Sequence, residues 1–325
     1  MYSDALDKLL GDLWTPQAMR LAETDAGAGN TWEAIESSGF TNLLLPESEG
    51  GPGLYLQDSY ELFGPLGRHP APLPLASTWI ARRHLPASQR GVGPIAVARA
   101  IGTADQTQIV CPRVPGGGMA GKVLVFNEER LALFDAQHTV TQAPVGDPRG
   151  QALRMTWHSR DALWQQDAGG HSIQAWMAAA SAAQISAALQ TVFELSLTHC
   201  NQRRQFGKSI GQFQAVQHQL SVMAEHVLAA SLAAELAFST SGAGPQTLHA
   251  AIAKARNSEA VALVCASAHA LHGAIGMTDE FVLGLYTRRL NEWRLDHGSE
   301  SHWQSVIGAA VLADHRPVAG QLAAL

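Results

Sequence analysis

The sequence predicts a mainly α-helical chain with a small β domain in its middle, on three observations. Helix start and stop signals crowd both ends, short apolar segments set between Gly, Pro and Asp occupy residues 92–164, and a narrow apolar seam follows Gln212. Near the N-terminus, Thr15-Pro16 offers an N-cap with proline at the first helical position, and Gly50-Gly51-Pro52-Gly53 is a hard break. Residues 1–88 therefore read as a helical domain. Within residues 89–168, Gln108-Ile109-Val110, Lys122 to Phe126 and Leu131 to Phe134 read as strands. After Gly169-Gly170, residues 169–325 read as long helices punctuated at Ser241 to Pro245 and at Gly273 to Gly276. The seam Phe213, Val216, Leu220, Met223 and Val227 is spaced to line one side of a helix in a bundle. Ala175 to Leu189 is broken by Ser181, Gln184 and Ser186 and reads as a buried helix, not a membrane span.

With 325 residues, 46% hydrophobic and 15% charged, the chain is long and apolar enough for a sizeable core, which excludes a disordered polymer. The 22 Lys and Arg against 28 Asp and Glu leave a net charge of −6 without a basic cluster, so neither nucleic acid nor an anionic membrane is an expected partner. Three widely spaced cysteines, Cys111, Cys200 and Cys265, form no disulfide framework or CxxC motif. The segment Met1 to Leu13 carries Asp4, Asp7, Lys8 and Asp12 and lacks the pattern of a signal peptide, so the expected location is cytoplasmic.

The most specific stretch is Arg203-Arg204-Gln205-Phe206-Gly207-Lys208-Ser209-Ile210-Gly211-Gln212-Phe213-Gln214, followed by the apolar seam. A second is Leu271-His272-Gly273-Ala274-Ile275-Gly276-Met277-Thr278-Asp279-Glu280; a third is Leu44-Leu45-Pro46-Glu47 with Gly50-Gly51-Pro52-Gly53. Together these resemble the acyl-CoA dehydrogenase family, whose patterns are R-x-Q-F-G-K-x-I-x-x-F-Q, Q-x-H-G-G-x-G-x-T-x-E and an N-terminal proline-glutamate, double-glycine turn. The resemblance implies an N-terminal helical domain, a β domain and a C-terminal four-helix bundle, with FAD as cofactor and an acyl-CoA thioester as substrate. It places Arg203, Gln205, Phe206 and Gln214 against FAD, often that of a neighbouring subunit, and extends the cofactor contacts to Gly273, Ala274 and Ser299. An oligomer follows, with an electron-transfer flavoprotein as one conceivable acceptor. The arginine motif suits a dinucleotide physically, because a guanidinium presents a planar fork to pyrophosphate oxygens. Arg203 and Arg204 also suit a plain helix end, where cations oppose the dipole.

The pattern breaks where the family keeps its base. The Y-E-G-T stretch falls on Asp296-His297-Gly298-Ser299, which puts His297 in place of the glutamate. An imidazole titrates in a suitable range but differs in shape and donor geometry from a carboxylate. Family members that carry the glutamate at the start of the first long C-terminal helix offer no rescue, since Gln174-Ala175-Trp176-Met177 holds no acid. Glu292, Asp296 and Glu300 lie out of register and are expected to be solvated charges on a helix face. Ala270 and Ala274 replace a glutamine and a glycine of the pattern, and the β domain lacks the T-E-P-x-x-G-S-D stretch that lines the flavin.

These departures resemble small subunits of heteromeric members, some acting on steroid or other bulky CoA thioesters, in which a paralogue carries the glutamate and the chains complete the FAD site together. A self-sufficient flavoenzyme using His297, and a non-enzymatic subunit of the same fold, remain open beside it. A metal site on His269, His272 and His297 lacks a matching carboxylate or third spaced ligand, and no G-x-S-x-G or activated cysteine supports a hydrolase.

Overall fold

A computed structural model describes residues 2–23, 29–101, 107–147, 149, 151–167, 171–316 and 320; Gly169-Gly170 lie outside them. The chain divides into two compact units, Met1–Leu62 with Ala71–Met177, and Phe63–Pro70 with Ala178–Leu325.

The first unit opens with helices α1 (Tyr2–Leu13), α2 (Pro16–Ala22) and α3 (Gly29–Ser37), then the start of α4 (Leu56–Arg68), α5 (Leu75–His84) and α6 (Ala87–Arg90). Thr15 caps α2 as its sequence predicts, its Oγ1 accepting from the Ala18 N–H at 3.3 Å with Pro16 beginning the helix. Seven strands follow: β1 (Ile95–Arg99), β2 (Gln108–Val114), β3 (Lys122–Phe126), β4 (Arg130–Asp135), β5 (Thr141–Pro144), β6 (Leu153–His158) and β7 (Trp164–Asp167). They form a four-stranded sheet ordered β1-β3-β4-β7, with β1 parallel to β3, and an antiparallel sheet ordered β2-β6-β5. Alternate residues Val123, Val125, Ala132 and Phe134 of one sheet meet Cys111, Met155 and Trp157 of the other in a shared core. The strand predicted at residues 108–110 continues through Pro112, where the register against β6 shifts between Cys111 and Val114; a bulge accommodates a residue that has no N–H to donate.

The second unit is the helical bundle. Helix α7 (His171–Gln202) enters it at Ala178 and ends in a small hairpin, β8 (Arg204–Gln205) with β9 (Lys208–Ser209). Helices α8 (Gln214–Leu236), α9 (Thr247–His272), α10 (Leu283–Leu295) and α11 (Glu300–Ala313) complete it. The predicted seam is realised: Leu220, Met223 and Val227 are buried, with Phe213 and Val216 packed against the same core. Helix α9 is the hub. Ala250, Ala251, Ala253, Ala260 and Ala268 are wholly buried along it, and small side chains let neighbouring backbones approach closely. With its following turn it is long and apolar enough to span a bilayer, yet here it is the core helix against which α8, α10 and α11 pack.

The segment Phe63–Pro70 also lies close to α7, since a Cβ built on Gly67 would stand 2.2 Å from the Gln184 carbonyl oxygen and 2.8 Å from the Ala187 Cβ. Gly67→Ala is therefore expected to lower unfolding stability by about 1–3 kcal/mol through overpacking, read from the midpoint of urea denaturation.

Candidate functional site

The arginine motif is a tight hairpin between α7 and α8. Its strands pair Arg204 with Ser209 and Gln205 with Lys208, leaving Phe206 and Gly207 as the two loop residues. Both have positive φ, 51° and 82°, as a two-residue turn matched to strand twist requires. Glycine takes this conformation freely, but Phe206 takes it at a cost, with its ring 92% exposed. The stem is well held: the Arg203 N–H donates to the His199 carbonyl at 2.8 Å and the Ile210 N–H to the Arg203 carbonyl at 2.9 Å. Phe213 closes the base, edge-on to Phe206 at 6.2 Å, with the Lys208 ammonium 4.3 Å from its ring centre. Arg203, Arg204, Gln205 and Gln214 all point into solvent, and neither arginine forms an ion pair with a described carboxylate. The site thus offers open guanidinium and amide donors beside an exposed aromatic face. That donor set fits a pyrophosphate and the rings of a dinucleotide.

The glycine segment follows α9 directly. Gly273 has φ 62° and ψ −141°, a conformation that glycine alone populates readily, and its N–H closes the helix on the His269 carbonyl. Gly276 is buried, and a Cβ there would lie 2.8 Å from that of His272. Gly273 and Ala274 are exposed. A histidine stack joins this segment to the arginine hairpin: the rings of His199, four residues before Arg203, and His272, just before Gly273, lie 4.5 Å apart, with Phe281 4.9 Å from His272. Burial holds both imidazoles below their usual pKa, and the neighbouring charge of Arg203 adds to the effect on His199. His272 donates from Nδ1 to the Ala268 carbonyl at 2.8 Å, and His269 Nε2 lies 3.1 Å from Thr287 Oγ1. His199 escaped sequence reasoning because its partner stands 73 residues away.

His297 sits elsewhere. It is half-buried in the turn between α10 and α11, with φ 58° followed by φ 105° at Gly298. His297 and Phe206 are the non-glycine residues of positive φ among the described residues, and both come from the motifs singled out in the sequence. Trp303 Nε1 donates to the His297 carbonyl at 3.0 Å. Lys254, a buried lysine on α9, donates to the Gly298 carbonyl at 3.1 Å. Ser299 stands at the N-cap position of α11 without a side-chain bond to the helix backbone, its Oγ 3.0 Å from that of Ser301. Lys254 and His272 are 18 residues apart on one helix, about 27 Å at 1.5 Å per residue. The structure thus sorts the nominated residues into two clusters: Arg203, Gln205, Phe206, Gln214, Gly273 and Ala274 at one end of α9, and His297 with Ser299 toward the other.

The carboxylates near His297 are not the solvated charges expected. Glu292 pairs with Arg289 at 2.5 Å, both largely buried; Asp296 is buried; and Glu300 accepts two bonds of 3.1 Å from Arg294 Nε and a further one from its terminal nitrogen. Glu292 and Glu300 thus meet arginines of α10. Burial pushes the thiols of Cys111 and Cys265 up to about 12 and raises Cys200 as well, so none is a thiolate near neutrality. Among the described residues, no group of three or more His, Cys, Asp or Glu side chains is arranged to hold a metal ion.

An open arginine hairpin and a glycine turn lie on a helical bundle that follows a sheet domain in the chain. Residues 159–312 match the family model of the acyl-CoA dehydrogenase C-terminal domain. Acyl-CoA dehydrogenase IpdE2 of Mycobacterium tuberculosis is 30% identical over 281 residues, which are 84% of this chain and 85% of that one. In fold, the chain is similar to the ChsE4-ChsE5 complex from Mycobacterium tuberculosis (TM-score 0.82, 19% identity, 97% of each chain). It is also similar to a variant of the Tcur3481-Tcur3483 steroid acyl-CoA dehydrogenase (TM-score 0.80, 21% identity, 96% of this chain and 97% of that one). The chain belongs to the acyl-CoA dehydrogenase family.

The Arg294–Glu300 pair yields a pH prediction. The Arg294 hydrogen bonds hold the Glu300 carboxyl below its ordinary 4.5, so the pair stabilises the fold above that pH and the contribution is lost as pH falls through the lowered value. Glu300→Gln should cost about 1.5–3 kcal/mol at neutral pH. The gap between variant and parent in chemical denaturation should close in acid.

Proposed function

We propose that this chain is a subunit of an FAD-dependent acyl-CoA dehydrogenase that introduces an α,β double bond into an acyl-CoA thioester, and that a glutamate-bearing paralogous subunit supplies the base. The observation that carries this reading is the turn at His297: the family's carboxylate is absent, and the neighbouring acids are paired with arginines or buried. An ionised carboxylate clamped by a guanidinium is a poor proton acceptor, because accepting a proton breaks the pair. The separation of the two clusters along α9 supports a shared site, since one protomer presents its arginine hairpin and its His297 turn too far apart for a single phosphate or ring to touch both.

FAD, when bound, supplies the two-electron acceptor for the β-hydride. Arg203 would hold pyrophosphate oxygens, Gln205 and Gln214 would offer amide donors, and Phe206 would cover a ring face. Gly273 would let the backbone approach closely, with Ala274 beside it and Ser299 contributing a hydroxyl from the opposite cluster. An acyl group with a bulky ring system is the substrate class we carry over from the steroid acyl-CoA dehydrogenase of similar fold. One observation favours a second reading, in which His297 is itself the base: its left-handed backbone is strain of the kind that active sites retain.

Co-expression with the paralogue, followed by flavin absorbance and acyl-CoA-dependent bleaching, tests the proposal. The pair should be yellow and active and the chain alone should show little dehydrogenation; full activity from the chain alone would sink the two-subunit reading and leave His297. Arg203→Ala should weaken FAD binding by the complex about tenfold, the loss of a charge-assisted bond, while unfolding stability stays within about 0.5 kcal/mol.

A further inference from the structure

Lys254 lies on the buried stripe of α9 with Ala250, Val261, Cys265 and Ala268, and is itself 0% exposed. Its three N–H groups are shared among four oxygens within hydrogen-bond reach: Ser258 Oγ at 2.9 Å and the carbonyls of Trp293 at 2.9 Å, Arg294 at 3.0 Å and Gly298 at 3.1 Å. Two of these belong to the last turn of α10, whose carbonyls have no partner within the helix and carry its negative dipole end. The third backbone oxygen lies within the turn, one residue past His297. A single cation thus ties the end of α10 to the turn that follows it.

Stability alone is a weak reason for such a group. Desolvating an ammonium costs several kcal/mol, and apolar replacements of buried charges are often neutral. The tie acts on two consecutive residues of positive φ, a conformation that persists only where the surroundings over-determine it. Trp303 holds the His297 carbonyl and fills the space beside Gly298, where a Cβ would stand 2.6 Å from the indole nitrogen.

We propose that Lys254 is a positioning residue, whose ammonium clamps the His297–Ser299 turn in the geometry that presents these side chains to the ligand. This rests on the reading that the turn faces the FAD and acyl-CoA site. The clamp acts through the backbone and makes no contact with the ligand. Removing it frees the Gly298 carbonyl and lets the turn relax toward ordinary φ, which moves the His297 ring.

The test uses the full chain, alone and with its paralogue, and compares parent, Lys254→Met and Trp303→Phe. The His297 ring signal, assigned by its loss in His297→Gln, is followed by NMR, and FAD affinity by fluorescence titration below the melting temperature of each variant. Both variants should displace the His297 signal and weaken FAD binding about tenfold in molecules that remain folded. A folded variant with a lower melting temperature but an unchanged His297 signal and unchanged FAD affinity would overturn the proposal and leave Lys254 a stabilising residue only. Should Lys254→Met not fold, Lys254→Gln, which keeps a polar donor of shorter reach, decides on the same readouts, while Trp303→Phe, which removes the donor to the His297 carbonyl together with part of the ring volume, reports on the other hold on the turn. The two failures are separable: a parent that binds no FAD in either state refutes the functional reading, whereas a stationary His297 signal refutes the clamp.

Discussion

Helix α9 is the constraint on which the second unit depends. Its alanines let neighbouring helices approach closely, so the polar groups among them must find partners in those neighbours. Asn257 does so on the Ala230 carbonyl of α8 at 2.8 Å, and Lys254 on the carbonyls around the end of α10. At the other end His272 stacks on His199 of α7. A rigid helix with anchors at both ends sets the spacing between the arginine hairpin and the His297 turn.

Both functional motifs are built on backbone conformations that their own residues disfavour. Phe206 is held left-handed by the hairpin pairs on either side, and His297 by the bonds to its carbonyl and to that of Gly298. Histidine tolerates this conformation better than most residues, which makes His297 compatible with the turn. Arg289 and Arg294 of α10 take up Glu292 and Glu300.

The departures from the family pattern divide along the same line. Gly273 is kept where φ and ψ admit little else, whereas Ala274 stands in a turn of ordinary φ that accepts a methyl group.

The sequence by itself determined the helix, sheet and helix order, the seam of α8, the Thr15 cap and the breaks at residues 241–245 and 273–276, because periodicity and turn chemistry are local. It also picked out the two stretches that the structure folds as the arginine hairpin and the glycine turn. Only the tertiary structure decided the fate of Glu292, Asp296 and Glu300, the stack of His199 on His272, and the burial of Lys254. A lysine between two alanines reads as a solvated charge until the end of α10 and the turn after it bring three backbone carbonyls to it, and such pairings join residues far apart in the chain.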